Sequence, residues 1–167
     1  WMENGKIRLR LPGEKKTQTL FPPKLPGRHN LENAMGVALL AASRGVSAAA
    51  INKGFKAFTG VEHRIEDLGR RGLLRCVNDS KATNVDSTLA CLRSLTPEDS
   101  GKVLLILGGL GKGGGFGALR PLVERYAKAV LAIGAAGPKV ESDLQGATHV
   151  FPCGDLATAV KVAYQIG

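Results

Sequence analysis

The sequence predicts an α/β fold in which a Rossmann-like, mostly parallel sheet carries helices on both faces. Three observations predict it. From residue 73 onward, short apolar runs of strand length alternate with stretches whose apolar residues recur every three or four positions, the signature of amphipathic helices. The links between these runs are short, which favours parallel strands joined by right-handed crossovers. Two of the runs open directly into turns rich in glycine or in small polar residues, at 78–84 and 108–115.

In chain order, the first stretch is polar and basic. Weak alternation at Ile7, Leu9 and Leu11 reads as a hairpin or edge strand, and Pro22-Pro23-Lys24-Leu25-Pro26 reads as an extended linker, because a proline keeps its predecessor out of the helical region. A helix over 31–43 puts Ala34, Val37, Ala38 and Ala41 on one face and stops at Gly45. Ser47 caps a second helix that runs through Phe58 and ends near Gly60. The alternation then gives strands at 73–78, 103–107, 129–133 and 148–151, and helices at 85–95, 116–126, 138–144 and 156–164. Residues 66–68 read as an additional strand ahead of them.

The run Cys76-Val77-Asn78-Asp79-Ser80-Lys81-Ala82-Thr83-Asn84 is the most informative segment, an apolar strand end that opens into short polar groups and a lysine. It sits on a strand-to-helix turn, the place where open α/β sheets collect ligands. Thr83 or Asn84 can cap the helix, and Thr83 with Asp86 has the form of a capping box. Satisfying backbone groups at the turn explains Asp79, Ser80, Thr83 and Asn84 equally well one at a time, but it does not explain Lys81.

The glycine turn at 108–115 matches G-x-G-x-x-G at Gly109, Gly111 and Gly114. A dinucleotide site would also place an acidic residue at the end of the next strand, and that strand runs into Gly134-Ala135-Ala136-Gly137 instead. A P-loop is not present either, since Gly111-Lys112 is followed by Gly113 and position 106 is Ile.

Asn78 to Asn84, preceded by Gly60-Val61-Glu62-His63-Arg64 and by Gly27-Arg28-His29-Asn30-Leu31-Glu32-Asn33-Ala34, resembles the Mur ligase family, and within it the members that add D-glutamate. The likeness runs from about Pro26 to the end of the chain. It implies three-domain, ATP-dependent amide ligases of the bacterial cytoplasm acting in peptidoglycan precursor synthesis, with UDP-N-acetylmuramoyl-L-alanine and D-glutamate as substrates. The 167 residues are too few for three domains, so the resemblance implies a C-terminal portion. Residues 1–60 are then a remnant of the central ATPase domain, and 61–167 the amino-acid-binding domain, incomplete at its end. It further implies that Lys81, Thr83 and Lys112 hold the glutamate, and that Asn33, Arg64 and Asp79 serve ATP. ATP and Mg are expected to be bound mainly by the upstream part of the central domain, so no catalytic or metal residue is named here. This stretch alone is accordingly not expected to catalyse. A sibling Mur or folylpolyglutamate-type ligase and a non-catalytic nucleotide-binding module are the alternatives.

Composition narrows the partners. With 44% hydrophobic residues the chain has material for a core, and its apolar runs are far shorter than the roughly 20 residues of a membrane-spanning helix. The net charge of +9 invites a nucleic-acid reading, but ten Lys/Arg against three Asp/Glu lie in residues 1–60, and thirteen against eleven in the rest. Only 5% of residues are aromatic and none are interleaved with the basic ones, so neither nucleic acid nor a membrane is expected as a partner. Cys76, Cys91 and Cys153, widely spaced, read as reduced thiols.

Overall fold

Contacts along the chain part after Glu62, giving units Trp1–Glu62 and His63–Gly167. The computed structural model describes every residue except Pro26, Lys112 and Gly113.

In the first unit, β1 (Met2–Glu3), β2 (Lys6–Leu9) and β3 (Gln18–Leu20) form an antiparallel sheet in that order. Asn4 and Gly5 turn the chain between β1 and β2 with φ of 50° and 72°, the left-handed pair that a two-residue hairpin loop requires. Helices α1 (Arg28–Ser43) and α2 (Ala48–Ala57) cover one face of this sheet. Ile7, Leu9 and Leu20 bury against Ala34, Ala38 and Ala42 of α1 and Ile51 and Phe55 of α2. As expected, Ser47 caps α2, its hydroxyl accepting the Ala50 N–H at 3.3 Å. Asn52 ties α2 to the sheet end by accepting the Phe21 N–H at 2.8 Å.

The second unit is built around parallel strands β6 (Val103–Gly108), β7 (Ala127–Ile133) and β8 (His149–Gly154), in that order. Helices α3 (Val85–Leu92), α4 (Arg120–Tyr126) and α5 (Gly137–Leu144) share one core with Val130 and Ala132 of β7, while Leu131 turns the other way toward Ala159 of α6 (Leu156–Ile166). The central strand is thus apolar on both sides, as a strand sandwiched between helices must be. Helices do lie on both faces of a parallel sheet.

The strand expected at 73–78 departs from the expectation that it opens this parallel sheet. β5 (Leu74–Asn78) pairs antiparallel with β4 (Glu66–Arg71), and the two form a separate two-stranded sheet. Only Gly72 and Leu73 lie between them, with Gly72 at φ 60°. Two residues suffice for a hairpin, whereas a parallel neighbour needs a crossover of a dozen or more. The helix expected over 116–126 is likewise divided, into a 3-10 turn at Gly117–Leu119 and α4, with Pro121 in the first turn of α4, where its missing N–H costs nothing.

Candidate functional site

At the carboxyl ends of the parallel strands, three loops stack on one another. Gly109 donates its N–H to the Ile133 carbonyl at 3.0 Å, Ala136 donates to the Gly109 carbonyl at 3.0 Å, and Gly134 donates to the Gly154 carbonyl at 2.7 Å. Glycine is dictated by contact here: a Cβ on Gly134 would lie 2.7 Å from the Gly109 oxygen. Lys112 of the glycine turn lies outside the described residues.

The exit of that turn is anchored from α5. Asp143 accepts the Phe116 N–H at 2.7 Å and pairs with Lys139 at 2.6 Å. The Lys139 ammonium first, and then the Phe116 N–H, hold the Asp143 carboxyl below the usual aspartate range. A lowered folded pKa gives stability that is complete above the unfolded value and is lost as pH falls through the folded one. The melting temperatures of the chain and of Asp143→Asn are therefore expected to differ near neutrality and to converge on titration from pH roughly 6 to roughly 2, as followed by circular dichroism.

The turn after β5 is organised around Asn84, which caps α3 by accepting the Ser87 N–H at 2.8 Å. Of the two capping candidates the structure uses Asn84, and the box from Thr83 to Asp86 does not form. Thr83 and Lys81 are exposed, and among the described residues neither side chain has a hydrogen-bond or ion-pair partner. The backbone between them is tight, with Ala82 donating to the Asp79 carbonyl and Thr83 to the Lys81 carbonyl, both at 2.8 Å.

This turn is stitched to the segment that enters β4. Asp79 Oδ1 accepts the Ile65 N–H at 3.1 Å, and Lys81 donates its N–H to the His63 carbonyl at 2.9 Å. The structure therefore brings Arg64, Asp79, Lys81 and Thr83 into one neighbourhood. Arg64 is exposed and has no side-chain partner among the described residues, while His63 and Ile65 on either side of it adopt φ of 64° and 46°. Left-handed backbone is rare for any non-glycine residue and a marked outlier for isoleucine. Glu66 Oε2 accepts the His63 N–H at 2.8 Å and an Asn78 side-chain N–H at 3.2 Å. Neither Glu66 nor the packing role of Asn78 was singled out from the sequence, because their meeting depends on the β4–β5 register, in which they are paired across the strands.

Asp79 also meets the half-buried Cys91 of α3. Burial chiefly, and then the charge and hydrogen bond of Asp79, push the Cys91 thiol up to about 12. Cys91 is thus an inert packing group, and Cys76 and Cys153 are likewise unpaired. Asn33, the remaining expected site residue, is exposed on α1 in the other unit, without a side-chain partner among the described residues. The described residues contain no group of three or more His, Cys, Asp or Glu side chains placed to hold a metal ion. No helix among them is long and apolar enough to cross a membrane.

No protein-family model matches the chain. It is 47% identical over 147 residues, 88% of its length, to a UDP-N-acetylmuramoylalanine--D-glutamate ligase of Elusimicrobium minutum. It is 45% identical over 139 residues, 83% of its length, to the ligase of the same name from Anaeromyxobacter dehalogenans. The matches take up 32% and 30% of those relatives, so the chain spans under two fifths of their length. Among solved structures, the UDP-N-acetylmuramoylalanyl-D-glutamyl-2,6-diaminopimelate--D-alanyl-D-alanyl ligase of Acinetobacter baumannii superposes with a TM-score of 0.70 at 21% identity, over 96% of this chain and 35% of that one, a likeness of fold.

Proposed function

We propose, from the premise that this chain belongs to the Mur ligase family, that it is the amino-acid-binding part of a ligase adding D-glutamate to UDP-N-acetylmuramoyl-L-alanine. In this reading, residues 1–60 are the end of the central ATPase domain and 61–167 the amino-acid-binding domain. The observation that carries it is the stitched turn, where Arg64, Lys81 and Thr83 stand exposed and unpartnered among the described residues while Asp79 and Asn84 hold the backbone.

A carboxylate is a poor electrophile. ATP phosphorylates it, the amine of the incoming amino acid attacks the acyl phosphate, the C–N bond forms and inorganic phosphate leaves. Little covalent chemistry is asked of the protein beyond positioning and charge neutralisation. Arg64 suits a phosphate because its planar guanidinium donates two parallel hydrogen bonds. Asp79, with carboxylate lone pairs beyond those used by Ile65 and Cys91, can accept from the ribose hydroxyls, and Asn33 would contact adenine. Lys81 and Lys112 would supply the two cations that a dicarboxylate needs, with Thr83 as a further donor. ATP brings Mg, for which this chain offers no ligand set among its described residues, so no metal contact is assigned to it. The expected setting is the bacterial cytoplasm.

The test is D-glutamate-dependent phosphate release by the full parent protein with UDP-N-acetylmuramoyl-L-alanine. Lys112→Ala is expected to raise the D-glutamate KM about 10- to 100-fold, the worth of one charged hydrogen bond, with little change in the KM for ATP. Equal rises in both would remove Lys112 from the amino-acid pocket. Turnover with L-glutamate or a diamino acid in place of D-glutamate would move the protein to another branch of the family, and ATP binding without turnover would make it a nucleotide-binding module.

A further inference from the structure

Arg64 and Lys81 are assigned above to different ligands, yet one peptide links them. The His63 N–H goes to Glu66 Oε2 at 2.8 Å, and the His63 carbonyl accepts from Lys81 N–H at 2.9 Å. Both polar groups of the residue preceding Arg64 are therefore committed, one to β4 and the other to the backbone of Lys81. Asn78 completes the bracket. Its carbonyl oxygen accepts the Ser80 N–H at 3.1 Å, which fixes the orientation of the amide, and its Nδ2 then donates to Glu66 Oε2 at 3.2 Å and faces His63 Nδ1 at 2.8 Å. The left-handed backbone at His63 and Ile65 needs such over-determination, because neither residue is glycine.

We infer that Glu66 is a positioning residue that holds Arg64 and Lys81 in a fixed relation, so that the nucleotide and amino-acid contacts of this domain are set together by one carboxylate oxygen. The inference rests on the proposed roles of Arg64 and Lys81. Glu66 itself touches neither ligand. What matters is its reach: the oxygen must meet the His63 N–H and the Asn78 amide at once. Reach outweighs charge here: both donors are neutral N–H groups that a carbonyl oxygen of the same length can also satisfy with weaker bonds, and the His63 ring nitrogen lies 3.6 Å from the same oxygen.

Reach and charge are separated by two conservative variants of the parent ligase. Glu66→Asp keeps the charge and shortens the side chain by one methylene. Glu66→Gln keeps the length and a carbonyl oxygen. Glu66→Asp is expected to raise the KM values for ATP and D-glutamate together, each roughly tenfold, as misplacement of binding groups by a fraction of an ångström does, and Glu66→Gln to stay within about threefold of wild type. The reverse order, or a lowered melting temperature with both KM values unchanged, overturns the proposal. Asn78→Ala is a third variant, expected to raise both constants by a smaller common factor; a change in neither also overturns it. Arg64→Ala distinguishes a failure of the nucleotide assignment from a failure of the Glu66 role. An unchanged ATP KM there sinks the assignment of Arg64 and this inference with it, whereas a raised KM there beside normal constants in Glu66→Asp sinks the inference alone.

Discussion

Replacing Gly108 by alanine is expected to destabilise the second unit by at least about 4 kcal/mol, the range reached when a core contact is overpacked and a special backbone conformation is strained at once. Gly108 ends β6 with φ of 143°, and a Cβ there would sit 1.9 Å from the carbonyl oxygen of Ile133 in the neighbouring strand. That oxygen cannot withdraw, because it already accepts the Gly109 N–H at 3.0 Å, and both flanking strands are fixed by parallel pairing through Gly108 and Ile133. Gly109 provides the control. Its φ of 108° is also unfavourable for an L side chain, but a Cβ there meets no atom within 4 Å. Gly109→Ala is therefore expected to cost only about 1–3 kcal/mol, from backbone strain alone. Urea unfolding of the chain checks both, and similar midpoints for the two variants would show that the close approach to Ile133 is not the deciding term.

Arg64→Ala is expected to have the largest effect on activity. Truncating one partner of a desolvated charge pair costs about 2–5 kcal/mol, so the ATP requirement of the parent should rise by about 30-fold to a few thousand-fold. Because the Arg64 side chain has no structural partner among the described residues, the melting temperature should hardly move. Arg64→Lys should recover only part of the loss, since an ammonium provides charge without the planar fork that matches a phosphate. Steady-state kinetics with ATP varied at saturating D-glutamate give the answer, and unchanged ATP constants would take Arg64 out of the nucleotide site.

Much of the fold was legible because its signals are local. Alternation and short links located the parallel strands from residue 103 onward, and Ser47 announced the start of α2. The turn at 78–84 stands out as a candidate site for the same reason: its unusual polar composition is contiguous. What escaped was whatever depends on pairing. An apolar run at 73–78 fits a buried parallel strand or one arm of a hairpin, and only the two-residue link at Gly72-Leu73 decides between them. Glu66 could not be distinguished from any surface glutamate until its register opposite Asn78 was known. Asp143 lies 27 residues beyond the loop end it anchors, a contact that no sequence spacing announces. Thr83 and Asn84 are equivalent capping candidates on paper, and the difference between them appears only in the backbone, where Asn84 has the extended φ of −149° that a cap requires.

The hairpin of β4 and β5 has a consequence for local unfolding. Two-stranded sheets are marginal by themselves, and this one shares no ladder with β6, β7 and β8 among the described residues. Arg64 and Lys81 both depend on it, the first through the entry to β4 and the second through the exit from β5. The glycine turn at 108–111 is instead rooted in the sandwiched parallel strands. Hydrogen exchange is expected to divide the second unit into two cooperative units of unequal stability, the hairpin opening first. Opening of the hairpin would withdraw Arg64 and Lys81 together while the parallel sheet kept its shape.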